Sequence, residues 1–370
     1  MFNFAKKSDL PNIIVCCGSG GVGKTTISAT LGLHGALTGQ KTLVLTIDPA
    51  RRLADSLGIG SLEYEVQKVP DEKFKALGID PAGELYAMML DTKRTFDHLI
   101  TKYAPANMQQ NILKNRYYQH ISSTLAGSHE YMAMEKVYEI YYQDQYDLII
   151  LDTPPSRRAL DFLDAPQRMT NILGHNMFLK LFKPYLNAGK VGMKVISIVA
   201  APFLKVVSQV MGGSVLEDIA DFFRLWDDVL FDGFRHRANA VKALLKSSHC
   251  TFVAITSPNR DPLKESIFLY DKLKENGMHF GGFIVNRVNP IYDEEVENLR
   301  DIKNIPDHLI DKLKDNFQNF QKIGKNDASA IKKLKERVGE NERIRKITYF
   351  DHDVYDFKGL FKVSRQIFAQ

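Results

Sequence analysis

The sequence predicts an α/β fold: a mostly parallel, doubly wound sheet flanked by helices and interrupted by an α-helical insertion. Three observations carry that expectation. A Gly-rich run, Gly18-Ser19-Gly20-Gly21-Val22-Gly23-Lys24-Thr25-Thr26, stands between an apolar strand pattern and a helical one. Two further apolar runs each end in an aspartate, at Asp48 and at Asp152. From about Phe162 to Lys246 the strand signals give way to helical periodicity.

Taken in order, Asn12 to Cys17 (NIIVCC) reads as a parallel strand buried on both faces, because it is apolar without alternation. The run that follows fits GxxxxGK[ST], the phosphate-binding P-loop. Glycines let successive backbone N–H groups curl around phosphates, which places Gly20, Gly21, Val22 and Gly23 in the cradle. Lys24 reaches the β- and γ-phosphates, and the Thr25 hydroxyl is placed to hold Mg²⁺. Thr26 to Leu37 reads as the next helix, its positive dipole end aimed at the anion. Those features predict a P-loop NTPase, and the loop occurs once, so one nucleotide site per chain follows.

Thr42 to Ile47 (TLVLTI) is a second strand that runs into Asp48, at the carboxyl edge where α/β sheets bind ligands. Tyr146 to Pro155 (YDLIILDTPP) is a third strand, whose Asp152 has the Walker B position that holds Mg²⁺ directly or through water. Both carboxylates also stand where an ordinary helix N-cap would. In the insertion, Ser214 and Glu217 form a capping box, and Val215, Ile219, Phe222, Trp226 and Val229 repeat at helical spacing. Leu173, Met177, Phe178, Leu181 and Phe182 make an earlier helical stripe, joined to it by VGMKVISIVAAPFLKVV. Strands return at Cys250 to Thr256 and Phe283 to Val288. Residues 295–303, 307–314 and 331–346 read as charged, solvated helices that cover the sheet edge, and GLFKVSRQIFAQ as the closing helix. The expected division is residues 1–161 and 248–370 for the two parts of the nucleotide domain, with 162–247 as the helical subdomain.

A chain of 370 residues that is 44% hydrophobic can bury the core of one such large domain. The net charge of +5 comes from interspersed acidic and basic residues and gives no argument for a specific nucleic-acid partner. MFNFAKKSDLPN lacks a signal-like apolar run, and VISIVAAPFL is too short to span a bilayer, so a cytoplasmic protein is expected. Three cysteines without paired spacing give neither a disulfide framework nor a zinc site.

GSGGVGKTT, TIDPARRLADSLG and LDTPPSRRALDFLDAP, in this order, resemble the family that joins the arsenical-pump ATPase ArsA to the GET-pathway targeting ATPases for tail-anchored proteins. The likeness extends to FIVNRV and DHDVYDFKGL and is strongest to the bacterial branch labelled anion-transporting ATPase, within the MinD/ParA-like dimerising P-loop proteins. The resemblance implies ATP and Mg²⁺ as ligands. It gives Lys24 and Thr25 the Walker A roles, makes Asp48 the switch I aspartate that orients the attacking water and contributes to the metal site, and makes Asp152 the switch II carboxylate. Pro154, Pro155 and Ser156 become the loop that senses the γ-phosphate. Asn286 becomes the residue that reads adenine, with Arg287 beside it. It also implies a nucleotide-driven homodimer, or a heterodimer with a paralogous ATPase, that works in the cytoplasm or peripherally at the membrane. The insertion helices become a surface for a hydrophobic or membrane-protein client, against the alternative that they pack on core or partner.

Three departures qualify the resemblance. The family's GKGGVGKTT loop has a lysine that crosses the dimer interface, and this chain has Ser19 there. Either another subunit supplies that lysine, or Arg51, Arg157 or Arg158 replaces it. Arsenite needs convergent thiolates, which Cys16, Cys17 and Cys250 are not placed to provide. The CxxC that clamps zinc between eukaryotic subunits is absent from the sequence. Two other classes follow from the same residues: a non-catalytic nucleotide-binding partner of a lysine-bearing paralogue, and a MinD/ParA-like positioning ATPase on membrane or DNA.

Overall fold

The computed structural model describes residues 13–47, 52–60, 62, 64–116, 118–119, 122, 128–153, 231–292 and 306–368. They divide into two compact units, one of residues 1–89, 144–159 and 245–370, the other of 90–143 and 160–244.

The first unit is built on an eight-stranded sheet. Its strands are β1 (Ile13–Cys17), β2 (Lys41–Thr46), β3 (Gln67–Lys68), β4 (Glu84–Met89), β5 (Leu148–Asp152), β6 (Cys250–Thr256), β7 (Phe280–Val288) and β8 (Ile344–Thr348). They lie in the order β3-β4-β2-β5-β1-β6-β7-β8, every pairing parallel except β3 with β4. β1 and β5 are buried at every residue, which is why their sequences are unbroken apolar runs. Register sets Asp152 opposite both Cys16 and Thr46, so β1, β2 and β5 end level at one edge. Because β5 lies between β1 and β2, the chain's order reverses there, and a crevice opens at the carboxyl ends of the strands.

Helix α1 (Lys24–Leu37) follows β1 and is buried nearly all round. Its two sides are covered: β2 lies on one, and the closing helix of the unit, at Phe357–Phe368, packs on the other. That explains the weak amphipathic pattern of α1, since a helix enclosed on both sides needs no polar face. His34 of α1 stacks on Phe368, ring centroids 3.6 Å apart and 9° from parallel. Burial lowers the imidazole's pKa from 6.5 to about 4. The neutral ring is thus favoured in the fold. The stabilisation is complete above pH 6.5, where the unfolded chain's histidine is also neutral, and is lost as pH falls toward 4, by up to about 3 kcal/mol. Thermal melts between pH 7 and pH 4 are expected to show a steeper loss for the native chain than for His34→Gln.

The remaining helices of this unit are α2 (Arg52–Leu57), α3 (Asp71–Lys75), α8 (Arg260–Glu275), α9 (Asp307–Val338) and α10, the closing helix already described. α2 packs on α1 and α10, and α9 packs on α8 and β7.

The strands expected at Asn12 to Cys17, Thr42 to Ile47, Tyr146 to Asp152, Cys250 to Thr256 and Phe283 to Val288 are present, each shifted by a few residues at an end at most. One expectation fails. Residues 331–346 are not a single helix: α9 stops at Val338 and Ile344–Thr348 forms β8. β8 is an edge strand with Ile347 buried and charged neighbours facing solvent, so IRKIT carries the charge of a solvated helix while pairing with β7. Residues 307–314 are helical as expected, within the longer α9, whereas 295–303 lies outside the described residues.

The second unit contains α4 (Thr92–Tyr103), α5 (Ala106–Lys114), α6 (Ser128–Tyr142) and α7 (Phe231–Lys246) up to Leu244. Asp91 caps α4 by accepting from the Arg94 backbone N–H at 2.9 Å. The core of the unit holds a buried ion pair, Arg237 with Glu135 at 2.9 Å, to which the Tyr131 hydroxyl donates at 2.8 Å. The Arg237 guanidinium also stacks 3.9 Å from the centroid of Tyr103. Burial raises the Glu135 pKa, and Arg237 opposes that rise. The stripes at Leu173 to Phe182 and Val215 to Val229 lie outside the described residues.

Candidate functional site

The Gly-rich loop leaves β1 at the carboxyl edge of the sheet and enters α1 at Lys24. Two glycines are required by the geometry. A Cβ on Gly18 would lie 2.0 Å from the Ile255 carbonyl oxygen, so only glycine lets the loop pass so close to β6. Gly23 holds φ at 95°, a left-handed conformation, and a Cβ there would meet the Asn286 amide nitrogen at 2.5 Å.

Within the loop, the Lys24 ammonium is almost fully buried and donates to the Ser19 carbonyl oxygen at 2.8 Å. The Ser19 hydroxyl donates to the Glu265 carboxylate of α8. Position 19 therefore ties the loop to α8 and presents no cation.

Asp152, fully buried at the end of β5, collects three hydroxyls. Thr25 Oγ1 donates to its Oδ2 at 2.8 Å, Thr46 Oγ1 to the same oxygen at 2.9 Å, and Ser28 Oγ to Oδ1 at 3.4 Å. A carboxylate beside a threonine hydroxyl is a hard-oxygen donor pair, and it fits Mg²⁺. Next to it, the Thr153 hydroxyl donates to the Cys16 carbonyl at 2.7 Å and fixes the chain as it leaves β5. On the other side of the loop, the Asn286 side chain donates to the Val22 carbonyl at 2.9 Å, and its own Oδ1 accepts from the Arg287 backbone N–H at 3.0 Å. Arg287 adopts a left-handed φ of 61° to make that turn.

These groups frame a cleft of about 430 Å³, a volume suited to a small-molecule ligand. Gly21, Gly23, Lys24, Thr25, Thr26, Arg52 and Thr153 line it, together with Asn286, Arg287 and Thr348, Tyr349, Phe350, His352, Asp353 and Val354.

The predicted loop residues, Asp152, Asn286 and Arg287 therefore converge on one place. Asp48, Arg51, Pro154, Pro155, Ser156, Arg157 and Arg158 lie outside the described residues. Sequence reasoning gave no role to Thr46, Ser28, Arg52 or Glu265. Only Thr46 had a signal, since it ends the same strand that leads to Asp48.

The family model for the anion-transporting ATPases matches residues 11–336. This chain belongs to that family. It is similar to a putative arsenical pump-driving ATPase 2 of Aquifex aeolicus (strain VF5), 24% identical over 336 residues, which cover 90% of this chain and 96% of that one. It is also similar to the ATPase GET3 of Malassezia globosa, 23% identical over 304 residues covering 82% and 80% of the two chains. The ATPase ASNA1 homolog 1 of Paramecium tetraurelia is 32% identical over a shorter stretch of 154 residues, 41% of this chain and 43% of its own. An ATPase family implies that the cleft takes a nucleotide, which agrees with its phosphate-binding loop.

Cys16, Cys17 and Cys250 are free and buried in β1 and β6. Burial pushes the Cys17 thiol up to about 12 and also raises those of Cys16 and Cys250. The thiolate is the form that binds soft metals and metalloids, and at neutral pH these three groups stay protonated. Among the described residues no helix is long and apolar enough to cross a membrane.

Proposed function

We propose that the chain is a cytoplasmic Mg²⁺-dependent ATPase that works as a nucleotide-driven dimer, with the helical unit coupled to the nucleotide state. The observation that carries this reading is the convergence of Lys24 and Thr25 with Asp152 at the carboxyl edge of the sheet. ATP is the substrate. Thr25 and Asp152, with Asp48 contributing, would hold Mg²⁺, which would neutralise charge on the phosphates.

The other tasks fall to the chain's own residues. The loop N–H groups and the α1 dipole orient the polyphosphate, and Lys24 compensates its charge. Asp48 positions the attacking water and holds its proton. Asn286 turns the adenine-reading amide toward the loop. Loss of the γ-phosphate releases the sensing loop of Pro154, Pro155 and Ser156, and through it the dimer contacts. The helical unit then presents or withdraws a surface for a hydrophobic or membrane-protein client. The protonated, buried cysteines favour such a client over arsenite.

Without a zinc clamp, dimerisation rests on protein and nucleotide contacts, so it should depend on nucleotide. Light scattering is expected to show the mass of two chains with MgATP and a lower average mass with MgADP. Equal masses in both states would sink the switch. A second reading, a non-catalytic partner of a lysine-bearing paralogue, is favoured by one observation: Ser19 is engaged with Glu265 and brings no cation. Self-association with MgATP, accompanied by turnover, distinguishes the two.

A further inference from the structure

We infer that Arg52 is the cation that contacts the terminal phosphate of the nucleotide, and that through it the cleft distinguishes ATP from ADP. This rests on the ATPase reading above.

A triphosphate with one Mg²⁺ keeps about two negative charges in the cleft. Lys24 answers one, and Ser19 answers none. The arginines lining the cleft among the described residues are Arg52 and Arg287, and they come from opposite sides. Arg287 lies on β7, two strands beyond β1; Arg52 opens α2, which follows β2, two strands from β1 on the other flank. The parent strands β2 and β7 are thus separated by four spacings, roughly 19 Å.

The oxygens that fit Mg²⁺ decide between them. Asp152 and Thr46 belong to β5 and β2, on the Arg52 flank. Mg²⁺ held there would accompany the phosphate end of the nucleotide, which sets the terminal phosphate on that flank and the base toward Arg287. Arg52 is exposed and makes no ion pair or hydrogen bond with the described residues, and its helix is fixed against α1 and α10. A guanidinium so placed is available to a phosphate oxygen in a bidentate contact.

Ribose-labelled fluorescent ATP and ADP, each with Mg²⁺, provide the test on the full chain and on Arg52→Ala and Arg52→Lys. A charge-assisted hydrogen bond is worth about 1.5 to 3 kcal/mol, so Arg52→Ala is expected to weaken ATP binding roughly 10- to 100-fold. ADP affinity should change less than about threefold, and Arg52→Lys should lie between. Because the side chain is exposed, the melting temperature should stay within a degree or two of the native value. Unchanged ATP affinity in Arg52→Ala, or equal losses for ATP and ADP, would overturn the assignment while leaving the ATPase reading intact. A native chain that binds neither nucleotide would overturn both.

Discussion

Lys24→Ala is expected to weaken MgATP binding on the order of 100-fold or more and to take steady-state turnover below detection. The Lys24 ammonium is buried at the N-terminus of α1 and held by the Ser19 carbonyl, so it meets the nucleotide from a desolvated position. Truncating a buried, hydrogen-bonded charge opposite another charge costs about 2 to 5 kcal/mol, because the remaining charge is left without its partner. The loop itself should keep its shape. Gly18 and Gly23 set its path, and Asn286 holds the Val22 carbonyl from β7. Titration with fluorescent nucleotide, beside a circular-dichroism melt, separates lost binding from lost folding. Full affinity in a folded Lys24→Ala chain would show that the cleft does not use the loop as a phosphate site.

Much of this site was legible because P-loop chemistry is local. Gly18 to Thr26 carry their geometry in consecutive residues, and the buried strands β1, β2, β5 and β6 announce themselves as apolar runs that a two-sided parallel sheet needs. Asp152 was legible because it ends such a run. What was not legible depends on pairing across the sheet. Ser19 reads in sequence as the absence of a lysine, and the fold makes it the link from the loop to Glu265, 246 residues away. Thr46 and Ser28 reach Asp152 only because β2 and β5 end together where α1 begins.

The edges of the fold were the least readable. β8 carries charges at two of its five positions, Arg345 and Lys346, so its pattern imitates a solvated helix although Ile347 is buried and the strand pairs with β7. β4 alternates only partly, and α4 to α6 lie in a stretch without a motif, so nothing in their sequence announced that residues 90–143 cluster with 160–244. Arg52 is a different case. DPARRLAD contains two cations, Arg51 and Arg52, and only the placement of α2 shows that Arg52 lines the cleft.

On the proposed reading, the chain hydrolyses MgATP with its own Asp48 directing water at a nucleotide held by Lys24, Thr25 and Asp152. Asparagine at position 48 preserves size and removes the charge that holds the water's proton, and loss of such a group typically costs 10²- to 10⁴-fold in rate. The most direct measurement is steady-state phosphate release by the purified native chain and by Asp48→Asn, with nucleotide affinity determined on the same samples. Mg²⁺-dependent turnover is expected in the native chain and a fall of about 100-fold or more in Asp48→Asn, with ATP affinity within a few fold. Native chain that binds MgATP without releasing phosphate, or an Asp48→Asn variant that turns over at the native rate, would contradict it.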